Sequence, residues 1–145
     1  MAVKSTRRSF LKRSALLAGA AACGPYVYAD GAPGTKLRTA VIGSGGQGAA
    51  SVNEAVGEKV VALVDVDDNR LAETAKNVAA KGHPDVKTYF DYRKMLDECH
   101  KELDAVFIAT PDQHHAPAAI RCIDLGKHVY VEKPMAYCLY EVRKL

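Results

Sequence analysis

The sequence predicts a doubly wound α/β domain built on a parallel sheet. Three observations carry that prediction. Apolar runs of strand length alternate with amphipathic segments of helical period, and the connections between them are short. A glycine-rich turn, Gly43-Ser44-Gly45-Gly46-Gln47-Gly48, separates the first apolar run from the first helical segment. Repeated strand–helix–strand order of this kind favours parallel pairing with right-handed crossovers.

The elements follow in order. A strand from Leu37 to Ile42 leads into a helix expected to begin near Gly46 and to bury Ala49, Val52 and Val56. A second strand, Lys59 to Val64, ends on Asp65. The next helix takes Asp67 or Asp68 as its N-cap and carries Leu71, Ala72, Ala75, Val78 and Ala79 on one face, until Gly82 and Pro84 stop it. A short strand near Lys87 to Phe90 precedes a helix with Tyr92, Met95, Leu96 and Cys99 on one side. The run from Leu103 to Ala109 is almost unbroken in apolar residues, as in a strand covered on both faces. Pro117 fits only in a first helical turn, so the following helix starts close to His115. It should bury Ala116, Ala119, Ile120 and Ile123 and end at Gly126. A last strand, His128 to Val131, runs into Glu132-Lys133-Pro134 and the start of one more helix. Tyr89, Tyr92, Tyr137 and Tyr140 read as packing residues.

The amino-terminal residues read as an export signal and not as part of the fold. Arg7-Arg8-Ser9-Phe10-Leu11-Lys12 precedes the apolar stretch Ala15 to Ala22, the pattern of a twin-arginine signal. That stretch is far short of the roughly 20 residues needed to span a bilayer. Val27-Tyr28-Ala29 offers small residues for cleavage after Ala29. Cys23 lacks the Leu that a lipoprotein site carries three residues earlier, so no lipid anchor is expected. Residues 1–29 then form the signal, 30–35 a linker and 36–145 the domain. The expected location is the periplasm, or another exported compartment, reached through the twin-arginine translocase.

Charge and cysteine usage narrow the function further. The signal holds five of the 20 basic residues and none of the 17 acidic ones, which leaves 15 against 17, a net of −2. The apparent basicity belongs to the signal, and nothing favours nucleic-acid binding. Cys99, Cys122 and Cys138 remain, an odd number without Cys-x-x-Cys spacing, and all three read as small buried hydrophobes. The five histidines show no metal-ligand spacing, so no metal site is expected.

Strand, Gly-x-Gly-x-x-Gly, helix, strand and acid in that order are the fingerprint of a dinucleotide site in a Rossmann-type domain. Gly43 permits the tight turn, Gly45 admits a pyrophosphate close to the backbone, and Gly48 lets helix and strand pack closely. With Ser44 and Gln47 they form the expected phosphate cradle, at a helix start whose N–H groups and dipole favour anions. Asp65 is placed to accept hydrogen bonds from adenosine ribose hydroxyls. Arg70 either stacks on adenine or faces solvent. An acid at this position repels a ribose phosphate, which favours NAD over NADP.

A second constellation stands at the ends of the later strands: Thr110-Pro111-Asp112-Gln113-His114-His115 after the fourth, and Glu132-Lys133-Pro134 after the fifth. Strand carboxyl ends line the crevice where a cofactor lies in such sheets, so these motifs and the glycine turn should converge. Together they resemble the Gfo/Idh/MocA oxidoreductases, the family of glucose–fructose oxidoreductase and inositol dehydrogenase. The resemblance implies that Thr110 and Pro111 wall the nicotinamide side, with His115 at the entrance of the next helix. It implies that Glu132 contacts the nicotinamide ribose and that Lys133 helps to move the proton of a substrate hydroxyl. The family's further catalytic Asp and His have no counterpart here. About 115 residues after signal removal make one small domain, so the chain reads as a piece ending before a C-terminal α+β domain.

The resemblance implies an NAD-dependent oxidoreductase acting on a sugar or polyol, a homo-oligomer at full length. Export favours a cofactor that stays tightly bound through turnover. Two alternatives stand beside it: a redox-neutral NAD-dependent glycosidase on the same scaffold, and a catalytically silent nucleotide-binding fragment.

Overall fold

The computed structural model describes residues 34–145. The export signal, its cleavage site, Cys23 and residues 30–33 of the linker lie outside the described residues. Five strands form one sheet: β1 (Arg38–Ile42), β2 (Lys59–Val64), β3 (Lys87–Tyr89), β4 (Ala105–Ile108) and β5 (His128–Val131). Their order across the sheet is β3-β2-β1-β4-β5, and every pair is parallel. Among the described residues, five helices accompany them: α1 (Gly48–Ala55), α2 (Asp68–Ala80), α3 (Tyr92–Cys99), α4 (His115–Asp124) and the short α5 (Leu139–Val142). Single-turn 3-10 segments, His100–Glu102 and Asp112–His114, lead into β4 and α4.

Alternation along the strands builds a core on each face of the sheet. Ala40 and Ile42 of β1, Val106 and Ile108 of β4, and Ala62 and Val64 of β2 point to one face. There they meet Met95, Leu96 and Cys99 of α3 and Ala118, Ala119 and Cys122 of α4. Val41 and Leu63 point the other way, onto Val52 and Ala55 of α1 and Leu71 and Val78 of α2. A register shift between Thr39 and Ala40 places Val61 and Ala62 on the same face, where strict alternation would separate them. Helices on both faces of a parallel sheet are the doubly wound architecture that the sequence predicts.

The strand and helix assignments agree with the sequence reading to within a residue or two, and the departures have local causes. α1 starts at Gly48 and not near Gly46, because Gly46 sits at φ +56°, in the left-handed region outside any right-handed helix. The face of α1 turned to the sheet carries Ser51, Val52 and Ala55, and Ala49 is exposed. Asp67 is the N-cap of α2, accepting from the Asn69 and Arg70 amides. Ala72 faces solvent, and α4 buries Cys122 while Ile123 is exposed. Tyr89 and Tyr92 pack on the core as expected, but Tyr137 and Tyr140 are exposed, as is Cys138 at the N-cap of α5. Cys99 and Cys122 are buried, and burial pushes the Cys122 thiol up to about 12.

At the amino ends of the strands, Asp104 binds Arg38 three times. Its carboxylate accepts from the Arg38 backbone amide (2.8 Å), from Nε (3.0 Å) and from a terminal guanidinium nitrogen (2.6 Å). The Arg38 guanidinium holds the Asp104 carboxyl below the usual carboxylate range. A carboxyl lowered in the folded state adds stability above its unfolded value, near pH 3.9, and loses it as pH falls through the folded value. Asp104→Asn should lower unfolding free energy at neutral pH by about 1–2 kcal/mol. The difference from the wild type should shrink below about pH 4. Denaturant titration at neutral and acid pH checks both statements.

Candidate functional site

Register places the carboxyl ends of four strands in one row. Ile42 of β1 lies beside Val64 of β2 and Ile108 of β4, and Ile108 lies beside Val131 of β5. The residues that follow these four positions are Gly43, Asp65, Ala109 and Glu132. The three motifs, separated by up to 90 positions in sequence, therefore open on the same end of the sheet.

The glycine turn is held from both sides. Val64 O accepts from Gly43 N (2.8 Å) and Ser44 N (3.1 Å), and Asp65 Oδ2 accepts from Gly45 N (2.7 Å). Gly43 has φ +81°, and a Cβ there would stand 2.6 Å from Ala109 O and 3.0 Å from Thr110 N. A Cβ on Gly48 would overlap the Gly43 carbonyl oxygen. These two glycines are required by contact of backbone with backbone. Gly45 differs, since a Cβ there would meet the Arg70 stem at 2.8 Å and Asp65 Oδ2 at 3.0 Å. The Arg70 side chain thus lies over the turn, and its Nε sits 3.4 Å from Asp67 Oδ2.

Several polar groups in the turn remain available. Gly46 N and Gln47 N, at the entrance of α1, donate to no acceptor among the described residues. The Ser44 hydroxyl and the Thr110 hydroxyl are buried without a hydrogen-bond partner. Asp65 accepts from Gly45 N and, at 3.0 Å, from Asp67 N, but a carboxylate has about four acceptor positions and keeps two. Free amides at a helix start, buried hydroxyls lacking partners and an anchored carboxylate with spare capacity fit a dinucleotide.

The second half of the site joins the first through β4. Ala109 N donates to Ile42 O (2.9 Å), and Glu132 N donates to Ile108 O (2.9 Å). Pro111 opens the 3-10 turn after Thr110 and is exposed; Glu132 is half-buried and Lys133 exposed. The Lys133–Pro134 peptide is cis. His115 is only 1% exposed. Its Nδ1 lies 2.7 Å from Pro134 O and its Nε2 2.6 Å from Thr110 O. Both ring nitrogens thus face carbonyl oxygens of the protein's own backbone. The sequence places it correctly at the start of α4, yet nothing in the local pattern signals its distant partner at Pro134.

A separate groove of about 620 Å³ lies at the amino ends of the strands, bordered by Arg38, Lys59, His83, Lys87 and Glu102. No motif residue lines it, and Arg38 and Lys87 are ion-paired with Asp104 and Glu102.

Fold and site together define a dinucleotide-binding domain of the doubly wound type. The family described as "Oxidoreductase family, NAD-binding Rossmann fold" matches residues 37–145, and the chain belongs to it: the Gfo/Idh/MocA oxidoreductases. The chain is similar to a glycosyl hydrolase family 109 protein of Stenotrophomonas maltophilia, at 36% identity over 135 residues, covering 87% of this chain and 29% of that one. It also resembles the crystal structure of myo-inositol 2-dehydrogenase from Lactobacillus plantarum, with TM-score 0.65 and 34% identity over 76% of this chain and 32% of that one. A third likeness is to UDP-N-acetylglucosamine 3-dehydrogenase from Acidithiobacillus ferrooxidans, with TM-score 0.62 and 26% identity over 74% of this chain and 33% of that one. The chain thus spans a third or less of the length of these relatives.

The close approach at Gly48 yields a test. Gly48→Ala should destabilise the domain by about 3 kcal/mol, since a backbone oxygen must move to admit the methyl group. Gly57→Ala, where a Cβ meets only Glu54 O at 3.3 Å, should cost far less. Paired denaturation curves decide, and equal effects of the two substitutions would refute the packing argument.

Proposed function

We propose that this chain is the cofactor-binding part of an NAD-dependent oxidoreductase acting on a sugar or polyol hydroxyl. The observation that carries the reading is the continuous line of contacts from the glycine turn through Ala109 and Thr110 to Glu132 and Pro134. It joins the phosphate end of a dinucleotide groove to the lysine where the chemistry is expected. Similarity to polyol and sugar-nucleotide dehydrogenases supports the substrate class.

The bound nicotinamide supplies the hydride acceptor or donor. The chain's residues bind and orient. Gly46 N and Gln47 N offer donors for the pyrophosphate, with the Ser44 hydroxyl beside them. Asp65, fixed by Gly45 N and Asp67 N, offers its remaining lone pairs to the adenosine ribose. Its charge disfavours a 2′-phosphate, which is the physical ground for NAD over NADP. Arg70 covers the turn from outside, against the adenine side. Thr110 and Pro111 wall the other end of the groove, and Glu132 is offered to the second ribose. Lys133, exposed at the strand end, takes the proton from the substrate hydroxyl as hydride leaves carbon, and returns it in reverse. The twin-arginine reading of residues 1–29 belongs to this proposal and favours a cofactor retained through each cycle.

A second reading is favoured by the 36% identity to a glycosyl hydrolase family 109 protein. In it, transient oxidation of a sugar hydroxyl allows a neighbouring glycosidic bond to leave by elimination before the hydride returns. Under this reading a nitrophenyl glycoside releases phenolate with no net NADH. Under the first, a polyol or sugar yields NADH. Lys133→Ala should lower either activity by about 10²-fold or more.

Calorimetric titration tests the cofactor assignment. NAD should bind more tightly than NADP, and Asp65→Ala should weaken NAD about 10-fold, near 1.4 kcal/mol, while narrowing the preference. Equal affinity of the wild type for both nucleotides would contradict the role given to Asp65.

A further inference from the structure

We propose that His115 is a positioning residue: its ring clamps the Lys133–Pro134 turn to the Thr110 loop and so sets where Lys133 stands in the groove. The observation is the pair of contacts at its two nitrogens, 2.7 Å to Pro134 O and 2.6 Å to Thr110 O, on a side chain that is 1% exposed. Carbonyl oxygens only accept, so the ring nitrogen that carries the hydrogen donates to the carbonyl it faces, and the other ring edge packs against the second loop.

The contacts of His83 and His100 differ from those of His115. His83 faces a donor and an acceptor: Nδ1 lies 3.4 Å from Val60 N, and Nε2 3.2 Å from Val56 O. One neutral tautomer satisfies both. His100 touches a single carbonyl, Leu96 O at 2.8 Å, one helical turn back on its own chain. His115 alone among these three joins two acceptors in separate loops, and those loops follow β4 and β5. Each loop also carries a group assigned to the site, Thr110 in one and Lys133 in the other.

The mechanical need is visible in the sheet. β5 is the outer strand, and its pairing with β4 ends at the hydrogen bond from Glu132 N to Ile108 O (2.9 Å). Lys133 lies one residue past that last bond, and Pro134 has no N–H to extend the pairing. Just beyond Glu132, the contact of His115 Nδ1 with Pro134 O at 2.7 Å joins the turn to the start of α4. α4 supplies a firm base for the ring, because Ala116, Ala118 and Ala119 are buried against the sheet. Lys133 is thereby held between a strand end and a buried ring, although its own side chain is exposed.

The consequence for the groove rests on the dinucleotide reading above, and the test separates the two. Wild type, His115→Gln and His115→Asn are compared in amide hydrogen exchange without ligand, and in titrations with NAD and with ADP-ribose. ADP-ribose lacks the nicotinamide and so reports on the glycine turn and Asp65 alone. Gln places its amide near Nε2 and keeps the Thr110 end; Asn places its amide near Nδ1 and keeps the Pro134 end. In His115→Gln, exchange at Glu132, whose amide closes the β4–β5 pairing, should rise at least about fivefold while β1 and β2 amides stay protected. NAD should weaken about 3- to 10-fold with ADP-ribose unchanged, and His115→Asn should lie nearer the wild type in both measurements. Unchanged exchange at Glu132, or equal weakening of NAD and ADP-ribose, would overturn the proposal. A wild type that binds neither nucleotide, with exchange still locally raised in His115→Gln, would leave the clamp standing and sink the dinucleotide reading instead. If His115→Gln does not fold, His115→Asn decides alone: protection at Glu132 equal to that of the wild type supports the proposal, and raised exchange there overturns it.

Discussion

The site depends on one close approach, where three backbone segments meet with no room for a side chain between them. Gly43 and Gly48 press against each other across the turn, and Gly43 presses against Ala109 and Thr110 at the end of β4. Because these contacts are backbone to backbone, no rotamer change relieves an added methyl group. This crossing brings the entrance of α1 next to the loop after β4. Without it, the free amides of Gly46 and Gln47 and the buried hydroxyls of Ser44 and Thr110 would not share one groove.

Two apolar cores hold that crossing in place. α1 and α2 cover one face of the sheet through Val52, Ala55, Leu71 and Val78, and α3 and α4 cover the other through Met95, Leu96, Ala119 and Cys122. The sheet between them is the rigid element, and the functional groups stand on the loops that leave it. This division is the usual one for a ligand site on a doubly wound sheet, with precision supplied by strands and chemistry by loops. Ion pairing at the opposite end, between Arg38 and Asp104, ties β1 to the start of β4 and so fixes the register that lines up Ile42 with Ile108.

Most of the architecture was legible in the residues, because periodicity and punctuation report burial and backbone freedom directly. The runs at Lys59 to Val64 and Leu103 to Ala109, the cap at Asp67 and the placing of Pro117 in a first turn correspond to what the fold shows. Other features depend on what meets a residue in space. Gly46 reads as a helix start but adopts φ +56°, so α1 begins two residues later, at Gly48. Tyr137, Tyr140 and Cys138 carry apolar side chains that suggested packing, yet no described element covers them. His115 was legible as the first residue of a helix, whereas its link to Pro134 crosses 19 positions and leaves no local trace. The half-exposed contact in which Tyr89 Oη meets Cys99 Sγ (3.1 Å) and Glu98 Oε2 (2.9 Å) was equally silent. Burial, together with those neighbours, raises the Tyr89 hydroxyl well above its ordinary range.

The central claim is that residues 43–48, Asp65 and Lys133 border a single dinucleotide groove at the carboxyl ends of the strands. The most direct measurement is amide chemical-shift mapping of the isotope-labelled chain during NAD titration. The account predicts that Gly45, Gly46, Gln47, Asp65, Thr110 and Lys133 shift along one binding curve, while Lys59, His83 and Lys87 at the opposite sheet end stay in place. Shifts confined to the glycine turn with Lys133 unmoved, or shifts centred on the amino ends of the strands, would contradict it.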